Sequence, residues 1–76
     1  MYQNYVVEIK KTQQGDFEHN VFWLYDEDPK TAMLKAESKF HEILAAAAVS
    51  EMAEHAAILF SSDGEPKANK CYKHGV

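Results

Sequence analysis

Residues 26–49, DEDPKTAMLKAESKFHEILAAAAV, decide the reading of this chain. Asp28 is a good helix N-cap and Pro29 suits the first helical position. The acidic cluster Asp26, Glu27 and Asp28 favours the positive end of a helix dipole. At about 100° per residue, Ala32, Met33, Ala36, Phe40, Ile43, Leu44 and Ala47 fall within a sector of about 120°. That is a complete core-facing stripe, and it predicts one helix from Pro29 to about Val49. The opposite side carries Lys35, Ser38 and Glu42, but also Leu34, Ala45 and Val49. The run Ala45–Ala48 is explained by helix propensity; a subunit contact on these methyl groups is the alternative.

Upstream, residues 2–11 (YQNYVVEIKK) put Tyr5, Val7 and Ile9 on one face and Val6, Glu8 and Lys10 on the other, the period of a strand. Residues 12–16 make a turn in which Gly15 supplies a positive φ. Residues 17–25 (FEHNVFWLY) form the return strand. There the alternation fails: Val21, Phe22, Trp23, Leu24 and Tyr25 are all apolar or aromatic, so both faces of the strand end hydrophobic. A sheet with one wet face alternates cleanly. One helix covers one face, and the other needs a cover that the chain does not obviously supply.

Downstream, residues 50–54 either extend the helix or lead out of it. His55-Ala56-Ala57-Ile58-Leu59-Phe60 is a short apolar run closed by Ser61-Ser62-Asp63-Gly64, which reads as a central strand and a tight hairpin turn. Residues 65–74 form the weakest strand; Pro66 and the lysines suit an exposed edge. The expected architecture is α+β, in the order ββαββ: an antiparallel sheet of two hairpins with one helix on one face. Residues 1–76 make a single domain. Whether both hairpins share one sheet, and in what strand order, does not follow from the residues.

At 8.7 kDa the chain is expected to bury only roughly 60% of its unfolded surface. Cores of this size usually gain support from a disulfide, a metal or another subunit. The single cysteine, Cys71, excludes an internal disulfide, and the four histidines lack zinc spacing. A homo-oligomer, dimer or larger, is the remaining common solution. The hydrophobic content of 46% excludes a disordered chain. A net charge of −4, with every one of the eight basic residues a lysine, argues against nucleic acid. No apolar run reaches membrane-spanning length, so no membrane partner is expected. Residues 1–4 show no basic segment followed by an apolar core, so no signal peptide is expected and a cytoplasmic protein is the default.

Five groups of residues are candidates for chemistry, and none has the pattern that chemistry requires. Cys71 and His74 form C-x-x-H, but residues three apart in a strand point to opposite faces. Glu37 and His41 share a helix face, yet His19 and His55 have no sequence reason to join them at a metal. The acidic cluster before the helix lacks the spacing and glycine of a calcium loop, and capping explains it. Ser61 has no preceding glycine at the offset of a nucleophile elbow. The three glycines are scattered, so no phosphate-cradling loop exists. No catalytic, cofactor or metal residue is assigned, and no enzyme is expected. The candidate interface is Val21, Phe22, Trp23, Leu24, Tyr25, Leu34, Ala45 and Val49. The alternative is a small-ligand pocket between subunits, lined by Trp23, Tyr25 and Tyr72.

The His55–Leu59 run, the Asp63-Gly64 turn and the ending Cys71-Tyr72-Lys73-His74 carry a likeness, joined by the aromatic second strand and the alanine-rich helix. Together they resemble small uncharacterised proteins encoded in phages and prophages of gut Firmicutes. The resemblance implies a bacterial or phage setting, with a role in particle assembly or host takeover and a phage or host protein as partner. It brings no activity and no site residue.

Overall fold

The computed structural model describes residues 1–75 of the chain. Five elements follow one another: β1 (Tyr2–Lys11), β2 (Phe17–Asp26), α1 (Pro29–Ala48), β3 (Glu54–Phe60) and β4 (Pro66–Lys73). The strands form one antiparallel sheet in the order β2-β1-β3-β4, so the two hairpins meet through their first strands. The class is α+β, with one helix packed against a four-stranded sheet.

Each hairpin closes through a glycine with positive φ, Gly15 at 93° and Gly64 at 85°, where a side chain would be strained. Asp28 caps the helix as its type predicts: Oδ2 accepts hydrogen bonds from the Thr31 amide at 2.9 Å and the Thr31 hydroxyl at 2.7 Å. The helix ends one residue before Val49, which serves as the C-cap. Residues 50–53 lead out of the helix. The Ala53 amide bonds the Lys11 carbonyl at 2.8 Å and so delivers the chain to β1 as its next strand.

The helix stripe meets the sheet as the periodicity requires. Ala32, Ala36, Phe40, Ile43 and Ala47 are buried, with Met33 and Leu44 packed beside them. From the sheet come Val6, Ala57 and Leu59, flanked by Phe22, Leu24 and Ala68. Half of the buried apolar residues are alanines, namely Ala32, Ala36, Ala47 and Ala57. The helix therefore lies close to the sheet, and the core between them is thin. Phe40 is the largest side chain buried there.

The helix covers the Asn4–Val6–Glu8 side of β1. The more apolar side, Tyr5–Val7–Ile9, is the side left open.

Candidate functional site

The open face is a regular array, because the antiparallel register, unbroken but for a shift between β3 and β4 at Phe60, sets the odd residues of β1 and β2 beside the even residues of β3 and the odd residues of β4. One row runs Trp23–Tyr5–Phe60. The next is Val21–Val7–Ile58–Asn69, the third His19–Ile9–Ala56–Cys71, and the last Phe17–Lys11–Glu54–Lys73. In the aromatic row, Tyr5 meets Trp23 at 4.7 Å between ring centroids and stacks on Phe60 at 4.8 Å. Charge enters only in the last row, where Lys11 lies 3.6 Å from Glu54 and over the ring of Phe17.

Val21, Trp23 and Tyr25 are each about half exposed (50%, 47% and 46%). A shallow depression of about 360 Å³ lies on the same face between β3 and β4, with Ala56, Ile58, Phe60, Pro66 and Cys71 in its lining. The aromatic residues that a thin core leaves out are gathered here. Contiguous apolar surface of this kind marks an interaction site when it is not broken by charge.

The stretch that fails to alternate, Val21–Tyr25, is divided between two tasks. Phe22 and Leu24 turn to the helix and pack against the core, with the Lys39 ammonium 4.3 Å from the Phe22 ring centroid. Val21, Trp23 and Tyr25 face outward. Leu34 and Val49 are exposed on the helix at 55% and 82%, and Ala45 is exposed between them in sequence. They belong to the helix layer and do not join the sheet face. Tyr72 pairs with His55 on the helix-covered side of β4, the far edge from Trp23 and Tyr25. Within one subunit these three aromatics therefore do not line a common pocket.

Cys71 is exposed on the open face, whereas the His74 ring nitrogen Nε2 lies 2.8 Å from the Ala47 carbonyl on the helix side. His19 sits on the open face and His55 beneath the helix. Among the described residues no three His, Cys, Asp or Glu side chains are placed to hold a metal ion. Asp26 accepts a hydrogen bond from the Asp28 amide at 2.9 Å and pairs with Lys35 at 2.9 Å. Those contacts hold its carboxyl below the usual range and tie the acidic cluster to the helix start.

One polar cluster has no counterpart in the sequence reading. Glu8, His55 and Asn20 meet on the helix-covered side of the sheet, with Glu8 Oε2 2.6 Å from His55 Nε2 and the Asn20 amide 3.3 Å from Glu8 Oε1. Burial raises the Glu8 carboxyl pKa, but the hydrogen bonds from His55 and Asn20 and the charge of Lys10 outweigh that. The net effect is a pKa below the ordinary value. The signal that could have found it is parity: Glu8 shares a face with Val6, and His55 with Ala57 and Leu59.

The fold and the site define a two-layer α+β domain whose second sheet face is apolar and uncovered. Neither the models of known protein families, nor the curated proteins, nor the solved structures contain a match to this chain. No helix among the described residues is long and apolar enough to cross a membrane.

Proposed function

We propose that this chain is a non-enzymatic interaction or assembly module that works as a homo-oligomer through the open face of its sheet. The observation that carries the reading is the three charge-free rows of that face, set against a core built half of alanine. A neutral face suits a second copy of itself, since a two-fold axis places no like charges in opposition at its centre. Four strands at about 4.8 Å and eight residues at about 3.3 Å give roughly 500 Å² in projection, near the smaller specific interfaces. The non-enzymatic part of the reading is supported by how the titratable groups are used: His55 holds Glu8, and His74 holds a helix carbonyl. The resemblance to phage and prophage proteins supports a role in phage assembly or host takeover.

Sedimentation at tens of micromolar tests the reading, with Ile58→Lys as the variant that sets a charge in the second row. The natural chain is expected to sediment as a dimer or larger and Ile58→Lys as a smaller folded species that has lost the face-to-face contact. A monodisperse natural monomer refutes the proposal. The depression beside Phe60 favours one second reading, a small apolar ligand held where a partner sheet closes over it. A thermal-shift screen across metabolites checks that, and a flat response removes it.

A further inference from the structure

The two edges of the sheet are built differently. β4 begins at Pro66, carries Lys67, Lys70 and Lys73, and shifts register against β3 between Leu59 and Phe60. Proline, lysine and irregular pairing are the devices that keep an edge from accepting another strand. β2, at the other edge, has none of them. It runs for ten residues without proline or lysine, in unbroken register with β1 from Phe17 to Asp26.

The loop hydrogen bonds show which way the β2 backbone points. The Thr12 amide donates to the Asp16 carbonyl and the Thr12 carbonyl accepts from the Gly15 amide, so Thr12 faces the β2 side. The Lys11 carbonyl accepts from Ala53 and so faces the β3 side. Successive residues of a strand alternate in this respect. The even residues of β1 therefore bond β2, and their partners on β2 are also even. It follows that Phe17, His19, Val21, Trp23 and Tyr25 direct their N–H and C=O groups away from the sheet. The Tyr25 carbonyl is met there by the Lys35 ammonium at 3.1 Å, which bounds the free edge at that end.

We propose that this edge pairs with β2 of a second copy, antiparallel, with Val21 on the two-fold axis. Symmetry pairs residues of equal parity, so each copy keeps its open face on the same side. Centred on Val21, His19 lies opposite Trp23 and exchanges both backbone hydrogen bonds with it, as the two Val21 residues do with each other. Phe17 comes opposite Tyr25 and Asn20 opposite Phe22, with Glu18 facing Leu24. Centring on Phe22 instead sets Glu18 against Asp26, a like-charge pair that opposes association. Val21 gives the longest overlap free of such a clash within β2; only beyond its start does Asp16 come opposite Asp26, whose charge Lys35 offsets at 2.9 Å. The proposal rests on the backbone of β2 and not on the side chains of the open face, so either assignment can fail without the other.

Amide hydrogen exchange on the full chain, followed by NMR over a dilution series, tests it. The amides of His19, Val21 and Trp23, which have no acceptor among the described residues, are expected to slow by about tenfold or more as concentration rises. Association that leaves these amides exchanging at the unprotected rate overturns the edge assignment while sparing the face. A chain that stays monomeric with these amides unprotected overturns the second-copy assignment too. Val21→Pro removes one outward amide and no bond to β1, a change an edge strand tolerates. It is expected to weaken association by about tenfold or more relative to Val21→Ala, which keeps the amide. Equal association of a folded Val21→Pro overturns the proposal, and the exchange measurement decides alone if that variant does not fold.

Discussion

Glu8 and His55 meet across the central strand pair, Oε2 to Nε2 at 2.6 Å, in the layer between sheet and helix. The lowered pKa of Glu8 favours an ionised carboxylate there, which accepts from His55 Nε2–H. It couples the one buried acid of β1 to the first buried residue of β3, so the junction between the two hairpins has a charged clasp as well as an apolar one.

Acid is expected to loosen that clasp. The Glu8 carboxyl, ordinarily near 4.5, is held lower in the folded chain. Its contribution to stability is therefore complete above about that pH and is lost as pH falls through the folded value. Glu8→Gln keeps the shape and gives up the charge. It is expected to cost about 1–3 kcal/mol near neutral pH, because the charge-assisted bond weakens inside a buried site. Urea unfolding of both proteins from pH 7 down to pH 3 checks this: the gap between them should narrow below about pH 4.5. A gap constant across that range counts against the clasp.

The close approach of α1 makes its alanines sensitive to size. Ala36 has no exposed surface and belongs to the same buried cluster as Val6, Ala57 and Leu59. Ala36→Leu is expected to destabilise by about 1–3 kcal/mol through overpacking, whereas a larger residue at the exposed Ala45 is tolerated. Thermal denaturation of Ala36→Leu beside Ala45→Leu measures the contrast directly.

Helix entry is the simplest quantity to check. Asp28 alone satisfies the Thr31 amide, and Pro29 has no amide to satisfy. Asp28→Ala is expected to cost about 0.5–2 kcal/mol, and Asp28→Asn much less, since the amide oxygen also accepts. Equal unfolding midpoints for Asp28→Ala and the natural chain contradict this role.

Helix, cap and turns were legible in the residues alone; the pairing of the strands was not. The helix stripe, its cap at Asp28 and the turn glycines are local patterns, each fixed by residues close in sequence, and they appear where the spacing placed them. Strand order is not local. That β3 pairs with β1 depends on contacts such as Ala53 to Lys11, made by residues far apart in the chain and unremarkable in type. The failed alternation at Val21–Tyr25 announced two apolar faces, but only the fold divides them, with Phe22 and Leu24 turned inward and Val21, Trp23 and Tyr25 outward. Parity put Glu8 on the Val6 face of β1, but alternation alone does not say which face of a strand the helix will cover, so its burial was not legible.

Trp23 offers the most direct view of the open face, since it is the sole tryptophan and lies 47% exposed in the aromatic row with Tyr5 and Phe60. An indole in water emits at longer wavelength than one enclosed by apolar groups. Burial of that face between two copies is therefore expected to shift the emission to the blue as concentration rises, with a midpoint that matches the sedimentation curve. Ile58→Lys, a row away from Trp23, is expected to lose the part of that shift that comes from face-to-face burial. A spectrum independent of concentration in a protein that nevertheless self-associates would exclude the open face as the contact, and would count against the β2 edge as well, since that pairing sets His19 of the second copy beside Trp23.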